Sequence, residues 1–454
     1  MNLLHFLRTA PYADEIQDQE LVKKNYKYWR LRIFFGMYVG YAFFYFSRKS
    51  FTFAMPALQN EMGLGKLELG LIASILSITY GVSKFVSGIL GDRSNPRYFM
   101  AVGLILTGIF NIFFGMSSAL WALAIFWGFN GWFQGWGWPG CTKLLTHWYS
   151  HSERGRWWSS WNTCQNLGAA LIALVVPFTA DLFGWRCAMF VPGVICILGG
   201  FYLIYSLRDT PQSLGLPKIE KYRNDYPDEQ AKKEEKAALS TREILFDYVL
   251  RNRFIWILAF AYFFIYVIRT AIEGWSMLYL VEMKGYTNFT AGFCVCWFEI
   301  GGFFGNLVAG WSSDLIFQGR RNPVSILYTI SILLLILAFQ AYTGSLALVH
   351  ATFFFFFGFF IFGPQMLIGM AAAELSHKKA AATATGFAGC FAYLGAAAAG
   401  APLGALIKYW GWNSFLFSLV ISALVAMVLL LPLWSVKTSQ KKLVPEEESD
   451  LVQG

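Results

Sequence analysis

The sequence predicts an all-α protein that crosses a membrane many times and consists of two tandem halves with the same orientation. Three observations favour this fold class: few charged residues, recurring apolar runs and an internal repeat. Of the 454 residues, 56% are hydrophobic, 19% aromatic and 14% charged, whereas soluble globular domains carry about 25% charged residues. Such a chain has too few polar side chains to cover a water-exposed surface, so a soluble fold is excluded.

Long apolar runs recur along the whole chain. Examples are residues 33–46, 98–114, 188–205 and 415–431. A helix needs roughly 20 apolar residues to span the hydrocarbon core of a bilayer. On that criterion the chain holds about twelve transmembrane helices.

The net charge of +9 comes from basic residues that gather in alternate loops. The clusters lie at 23–32, 93–97, 154–156, 208, 218–236, 320–321, 378–379 and 437–442. The intervening loops, near Ser117, Asp181 and Thr343, carry almost none. This alternation is the positive-inside pattern, which places both termini in the cytoplasm. The expected partner is therefore the lipid bilayer, and nucleic-acid binding is not expected.

The seven cysteines lie in or beside apolar runs and form no C-x-x-C pair. They are typical of small residues in a membrane core. The sequence contains no zinc spacing, phosphate loop or nucleophile–base pattern. We therefore expect no metal, no cofactor and no enzyme activity.

An internal repeat relates the two halves. The matched sets are Tyr41, Tyr45 and Arg48 with Tyr262, Tyr266 and Arg269, 221 positions apart; Val86, Gly88 and Asp92 with Val308, Gly310 and Asp314, 222 apart; and Gly184 and Trp185 with Gly411 and Trp412, 227 apart. The offset only increases, as expected of one duplicated unit with a few insertions. The two halves therefore run in parallel.

The repeat predicts five segments. They are a cytoplasmic N-terminal segment (1–32), a first six-helix half (33–206), a cytoplasmic linker (207–252), a second six-helix half (253–435) and a cytoplasmic tail (436–454). Two parallel six-helix halves joined in this way resemble the major facilitator architecture, in which substrate binds at mid-membrane between the halves.

Each half carries one arginine deep in its first apolar run. Arg48 lies 15 residues after residue 33, and Arg269 lies 15 residues after residue 254. Both are therefore ~22 Å along their helices, near the middle of the bilayer. A buried arginine costs about 2.5–3.5 kcal/mol on insertion scales. Snorkelling or a permanent carboxylate partner is the alternative, but matched positions favour two arginines that face a central cavity and bind an anion.

Other polar residues lie near the two arginines. Tyr41, Tyr45, Tyr262 and Tyr266 precede them by three or seven residues, so they share a helix face and either orient a ligand or only pack. Lys84 is a third cation within an apolar run. Lys49 and Glu273 could form an ion pair between the halves. Glu299 is the clearest buried carboxylate, and its partner, Lys84 or another cation, stays open.

Acidic residues also close the second span of each half. They lie in Gly88-x-x-x-Asp92-Arg93 and Gly310-x-x-x-Asp314. Helix ends and basic loops can bind these carboxylates. We expect Asp92, Arg93 and Asp314 to latch the cytoplasmic face and not to contact substrate.

Several motifs, taken in chain order, resemble the organophosphate:phosphate antiporter family of the major facilitator superfamily. They are Tyr45-Phe-Ser-Arg48-Lys49, Tyr80-Gly-Val-Ser-Lys84, Trp161-Asn162-x-x-x-Asn166-Leu-Gly168, Tyr266-x-x-Arg269 and Phe362-Gly-Pro-Gln-Met. The resemblance covers nearly the whole chain. It implies exchange of an organic phosphate for inorganic phosphate by alternating access.

The resemblance also implies roles for single residues. Arg48 and Arg269 would bind the phosphate group with help from Lys84. The organic end would be lined by Tyr45, Tyr266, Gln134, Trp138, Asn162 and Tyr393. Gln165 stands where the family commonly has histidine, so proton titration at that position is not possible and hydrogen bonding remains.

Within the family, residues 134–143 are similar to glucose-6-phosphate transporters. Residues 94–99 and 208–212 are equally similar to the bacterial membrane sensor of external glucose 6-phosphate. The resemblance thus implies hexose phosphate and inorganic phosphate as ligands of a protein of the bacterial inner membrane that functions as a monomer. The alternative is a non-transporting receptor that signals through a partner histidine kinase.

Overall fold

The computed structural model describes residues 7–92, 94–225, 246, 249–376 and 381–436. Almost all of them are helical. The first half contains α1 (Gln19–Met62), α2 (Lys66–Asp92), α3 (Pro96–Met116), α4 (Leu120–Gln134), α5 (Gly137–Trp148), α6 (His151–Asn162) and α7 (Cys164–Ser206), and a short α8 (Ile219–Arg223) follows. The second half contains α9 (Arg253–Lys284), α10 (Asn288–Leu315), α11 (Arg321–Ala341), α12 (Ala347–Glu374), α13 (Ala381–Ala398), α14 (Ala401–Trp410) and α15 (Trp412–Leu430).

The first helix of each half begins and ends in the same way. The Asp18 side chain accepts from the backbone N–H groups at the start of α1, and the Asn252 side chain accepts from Phe254 N at the start of α9. Such caps satisfy donors that have no partner within the helix. At the other ends Gly63 and Gly285 take left-handed conformations, with φ of 65° and 66°. These glycines are 222 positions apart, which agrees with the repeat in the sequence.

Each half also contains a sharp bend at an equivalent position of the repeat. Gly184 divides α7 with φ 80° and ψ 166°, and Gly411 separates α14 from α15 with φ 73° and ψ −176°. Side chains other than glycine rarely adopt this region. The tryptophan that follows each glycine, Trp185 or Trp412, is buried. The duplicated unit inferred from sequence therefore has the same local backbone in both halves.

Within the described residues, nine helical stretches are long and apolar enough to cross a membrane. One of them, Arg156–Ser206, contains the bend at Gly184, and another, Thr383–Trp410, contains most of α13 and all of α14. A protein with repeated membrane helices is confirmed, while the count of twelve spans stays a prediction.

Each half is a bundle, and the two bundles meet along several helices. In the first half α1 and α3 pack on α7, and in the second α10 packs on α12 while α9 packs on α13. Between the halves α7 packs on α10, α2 packs on α13 and α14, and α1 packs on α9. The first helices of both halves therefore face each other across the molecular centre.

Polar contacts join the halves where α1 and α9 end. Glu282 on α9 accepts from Gln59 at 2.7 Å and forms an ion pair of 3.0 Å with Lys66. Ser74 Oγ donates to Ala397 O at 2.7 Å nearby along α2. These contacts close one end of the interface, the end that the positive-inside pattern assigns to the outside.

The predicted N-terminal segment and linker pack on each other. Ala10 N donates to Asp209 at 2.8 Å, and Ile16 N donates to Gly215 O at 2.8 Å. Residues 226–245 and 247–248 of the predicted linker and all but residue 436 of the predicted tail lie outside the described residues. The five segment boundaries remain predictions.

Candidate anion-binding cavity between the halves

A cavity of about 720 Å³ lies between the two halves. Of the residues predicted for the site, it is lined by Tyr41, Tyr45, Arg48, Lys49, Lys84, Trp138, Asn162, Gln165, Tyr262, Tyr266, Arg269, Glu273, Asp314 and Tyr393. Helices α1 and α9 contribute the deepest charged groups. The repeat thus brings matched residues of the two halves to one cavity.

Arg48 is held between two aromatic rings. The centre of its guanidinium lies 4.5 Å from the Tyr45 ring and 4.4 Å from the Tyr80 ring. Its Nε donates to Gln134 Oε1 at 3.1 Å. Its Nη2 is buried and has no hydrogen-bond partner among the described atoms. The rings and the amide orient the guanidinium and leave one donor for a ligand.

Arg269 has a comparable environment in the second half. Its guanidinium lies 4.7 Å from the Phe362 ring and 5.7 Å from the Tyr266 ring. Its Nη2 is 3.6 Å from Glu273 Oε1. Its Nε is buried and, within the described part of the chain, unpartnered. Both matched arginines therefore keep an unused donor.

Lys84 lies against aromatic rings, and within the described part of the chain no carboxylate forms an ion pair with it. Its Nζ is 4.8 Å from the Trp138 ring and 5.5 Å from the Tyr393 ring. Tyr393 in turn lies 5.2 Å from Tyr80, between ring centroids. Residues of both halves thus surround this third cation, and an anion in the cavity can approach it.

Lys49 and Glu273 form an ion pair of 2.6 Å between α1 and α9. This is the inter-half pair considered from the sequence. Glu299 does not line the cavity; it accepts from Asn166 Nδ2 at 2.9 Å and lies beside Glu273. Asn166 is therefore a hydrogen-bond partner of Glu299, and among the described residues no ion pair joins Glu299 to Lys84.

Charges around the cavity do not balance. Four cations, Arg48, Lys49, Lys84 and Arg269, line its deep end together with one carboxylate, Glu273. Among the described residues that line the deep end of the cavity, cations therefore outnumber carboxylates. Buried charge of one sign is unfavourable until an opposite charge joins it.

Gln134 is placed differently from the prediction. It was expected to line the organic end of a ligand, but it is buried behind Arg48 and is not a lining residue. Its side chain accepts from Arg48 and donates to Asn130 Oδ1 at 3.1 Å. The chain turns at Gly135, directly after α4 ends, and this turn directs Gln134 into the helix bundle. Gln134 is a positioning residue for Arg48.

Gln165 also forms a hydrogen bond with a neighbouring side chain. Its Oε1 accepts from Tyr45 OH at 2.8 Å. It lies on the cavity wall beside Asn162. Gln165 therefore fixes the orientation of the phenol that packs on Arg48.

Aromatic side chains form the wall nearest Lys84. Tyr41 lies 5.0 Å from Trp161 and 6.1 Å from Trp138, between ring centroids. Trp158 lies 6.0 Å from Trp138 and lines the cavity one helical turn before Asn162. This wall offers flat apolar faces next to amide groups, a combination that suits an organic ligand with hydroxyl groups.

The predicted gating residues lie at the rim or outside the described residues. Asp314 lines the cavity rim and forms an ion pair with Arg321, whose Nε is 3.2 Å from Glu374. All three belong to the second half, so this pair does not join the halves here. Arg93 and the side chain of Asp92 lie outside the described part. The gating role stays a prediction.

The family model of the Major Facilitator Superfamily matches residues 37–400. This chain belongs to the major facilitator superfamily. Relatives of high identity place it, within that superfamily, among the organophosphate:phosphate antiporters. It is a multi-pass protein of the bacterial inner membrane.

Three relatives illustrate the range of similar proteins. A "Probable hexose phosphate transport protein" of Chlamydia trachomatis is 57% identical over 96% of this chain and 98% of the relative. "Membrane sensor protein UhpC" of Escherichia coli is 48% identical over 97% of this chain and 100% of the relative. A "Glycerol-3-phosphate transporter" of Bacillus subtilis is 41% identical over 95% and 98%.

A solved structure supports the fold alone. A bacterial homologue of the human lysosomal transporter Spinster, in an inward-facing and unoccupied conformation, superposes with a TM-score of 0.67 at 14% sequence identity. The match covers 89% of this chain and 95% of the solved chain. The major facilitator fold predicted from the repeat is confirmed.

Tyr80 and Trp158 are among the cavity residues that the sequence analysis did not assign to the site. Tyr80 packs on Arg48, and Trp158 lines the wall near Trp138. A signal for Tyr80 was present, because it precedes Lys84 by four residues and so shares its helix face. Trp158 precedes Asn162 by the same spacing.

Proposed function

We propose that this major facilitator protein exchanges a hexose 6-phosphate, with glucose 6-phosphate as the expected sugar, for inorganic phosphate. The observation that carries the proposal is the pair of matched guanidiniums, Arg48 and Arg269, each with an unpartnered buried donor at one cavity. Guanidinium groups match phosphate oxygens with fixed, charge-assisted hydrogen bonds. The 57% identical Chlamydia relative is named a hexose phosphate transport protein, which supports the same substrate class.

The excess of positive charge around the cavity supports a phosphate ligand. Once Lys49 and Glu273 pair, Arg48, Lys84 and Arg269 remain at the deep end, and a phosphate ester that carries two negative charges offsets most of their charge. An empty cavity retains cations that repel one another when the surrounding water is excluded. Closure around an anion is thus favoured over closure around an empty cavity, which is the physical basis of obligate exchange.

The aromatic wall supports a sugar as the organic part. Trp138 and Trp158 present ring faces beside the amide of Asn162. A hexose has apolar C–H faces and several hydroxyl groups, so it can pack on indole rings and bond to the amide. We expect the phosphate at the arginines and the sugar toward this wall.

Alternating access requires the closed end to open. The contacts of Glu282 with Gln59 and Lys66 join the halves at the outside, while the cavity rim reaches Asp314 at the other end. Exchange would proceed by separation of these outside contacts while the opposite ends of the halves approach. Differential binding of the anion to the two states suffices, and no ATP is needed.

Proteoliposomes test the exchange. Vesicles that contain the purified chain and internal phosphate should take up labelled glucose 6-phosphate, and vesicles without internal phosphate should not. Uptake of equal rate without internal phosphate would contradict the exchange mechanism. Labelled glycerol 3-phosphate in the same assay separates the sugar preference from a general preference for organic phosphates.

The second candidate is a receptor that binds hexose phosphate without transport. The specific observation in its favour is the 48% identity to a membrane sensor protein over nearly the whole chain. A receptor would bind labelled glucose 6-phosphate in detergent but fail to exchange it in proteoliposomes. A neighbouring gene for a membrane histidine kinase would also favour the receptor.

A further inference from the structure

Three arginines converge at one end of the first half, outside the residues that line the central cavity. Arg32 lies on α1, Arg97 lies in the first turn of α3, and Arg208 follows the end of α7. Each donates a hydrogen bond of 2.6–2.9 Å to a carbonyl within residues 204–207. The partial negative charge at a helix C-terminus holds guanidinium groups in place. Three separate segments thus bring their positive charges to one point.

These charges are not neutralised by acidic side chains. Across the described parts of the chain, no carboxylate forms an ion pair with Arg32, Arg97 or Arg208. Asp209, although next to Arg208, is buried and engaged by Lys143 at 3.4 Å. Burial and the neighbouring guanidiniums lower the pKa of Arg208. By contrast Arg30, only two residues before Arg32, is paired with Glu153 at 2.6 Å.

Exposed aromatic rings surround the three arginines. Tyr205 is 68% exposed and Tyr28 is 52% exposed. The Arg32 guanidinium lies 4.3 Å from the Tyr205 ring, and the Arg208 guanidinium lies 4.7 Å from the Trp29 ring. Tyrosine and tryptophan are enriched at the depth of lipid headgroups. The cluster therefore lies at the membrane interface, on the side that the positive-inside pattern assigns to the cytoplasm.

A shallow groove along α1 extends from the cluster. Its lining residues are Lys24, Lys27, Tyr28, Leu31, Arg32 and Phe35. The lysines lie toward the start of α1, whereas the exposed side chains of Leu31 and Phe35 lie toward the bilayer. The groove thus changes from basic to apolar in the direction in which α1 enters the membrane.

We propose that the three arginines bind the phosphate of an anionic phospholipid in the cytoplasmic leaflet and that its acyl chain lies along Leu31 and Phe35. Basic pockets between helices on this side of a membrane suit anionic headgroups. A free phosphate ion shares the headgroup chemistry but makes no use of the apolar end of the groove, so the lipid is favoured. The site is independent of the proposed exchange.

Native mass spectrometry of the full chain tests this site. Protein released from bilayers of mixed phosphatidylglycerol and phosphatidylethanolamine should retain phosphatidylglycerol preferentially. Arg97→Gln and Arg208→Gln should each lower that enrichment about fivefold, the effect expected for one basic side chain near a membrane surface. Glutamine can still donate to the α7 carbonyls, so the local fold should persist.

Matched variants make the result specific. Arg186 also donates to backbone carbonyls, including Gly115 O at 2.7 Å, but it lies just after the bend of α7, beside the opposite end of α3. Arg186→Gln should leave the enrichment unchanged. The double variant Arg97→Lys/Arg208→Lys keeps the charge and should keep most of the enrichment, which provides a test if the glutamine variants unfold.

Two outcomes would overturn the proposal. One is equal enrichment of phosphatidylglycerol in the wild type and in the folded Arg97→Gln/Arg208→Gln protein. The other is displacement of the lipid by millimolar inorganic phosphate, which would assign the cluster to a soluble anion. Lipid retained in the presence of phosphate and lost in the glutamine variants supports the proposed site.

Discussion

Lys49 on α1 and Glu273 on α9 form a buried ion pair of 2.6 Å across the boundary between the halves. The same carboxylate lies 3.6 Å from Arg269, one helical turn earlier on α9. One negative charge is therefore shared by a cation from each half. Removal of one partner of a buried pair leaves an uncompensated charge, which is strongly destabilising.

Glu273→Gln should lower the free energy of unfolding by about 3 kcal/mol, because Lys49 and Arg269 then lose their shared carboxylate. A thermal-shift assay on the purified protein measures the change as a lower unfolding midpoint. The double variant Lys49→Gln/Glu273→Gln should be more stable than Glu273→Gln alone. A double variant less stable than either single variant would contradict this account.

Arg48→Lys and Arg269→Lys should each reduce exchange roughly 10- to 100-fold, the effect of losing a hydrogen bond to a charged ligand. Lysine keeps the positive charge but lacks the planar fork that matches phosphate oxygens. Initial rates in phosphate-loaded proteoliposomes measure the loss. Arg186→Lys, far from the cavity, is the matched control, and wild-type rates in the cavity variants would reject the assigned role.

Glu282→Gln should favour opening at the outside. The carboxylate accepts from Gln59 and from Trp412 Nε1, both at 2.7 Å, and pairs with Lys66. If the substitution removes about 1.4 kcal/mol from the free energy that favours the closed state, the open state becomes about tenfold more populated. Met55 lines the cavity. In a Met55→Cys variant, an impermeant maleimide added from outside should therefore label the new thiol faster when Glu282→Gln is also present.

That labelling experiment requires two controls. Cys390, which is exposed, should be replaced by Ser so that the introduced thiol gives the signal. Glu61→Gln removes a nearby exposed carboxylate at the end of α1 and should leave the labelling rate unchanged. Equal rates in Glu282→Gln and its parent would exclude Glu282 from the closure.

Acid should weaken the structure around Glu153, outside the membrane spans. Burial alone raises the pKa of this carboxyl, but the hydrogen bond from Arg30 and the capping of Ser150 N outweigh burial, so its pKa lies below the ordinary value of 4.5. A depressed pKa means that the stabilisation is present above about pH 4.5 and is lost as pH falls through the lower, folded-state value. The unfolding midpoint of the wild type should therefore fall below that pH more steeply than that of Glu153→Gln. Identical pH profiles would contradict a stabilising role.

The sequence located the two central arginines because a cation within an apolar run is conspicuous and the repeat identifies its counterpart. Arg48 and Arg269 also lie on the first helix of each half, where the helical period suffices to predict a common face. The placement of Gln134 behind Arg48 depends on how α4 turns into α5 at Gly135 and packs on α1. Spacing along one helix carries no information about such contacts between helices.

The partners of the carboxylates were harder to predict for the same reason. Asp314 binds Arg321, seven residues later and across a loop, within its own half. Glu299 accepts a hydrogen bond from Asn166, which is on a helix of the other half. In each case the residue type indicated a buried or terminal charge, but only the packing of the halves determines which side chain comes close.

The charge excess around the cavity has a consequence for the energetics of exchange. The four cations and Glu273 are fixed to the protein, so they are present whichever anion is bound. When the sugar phosphate and the returning phosphate carry equal charge, one cycle moves no net charge across the bilayer. The membrane voltage then neither drives nor opposes the cycle, and accumulation of sugar phosphate follows from the concentration ratio of phosphate alone.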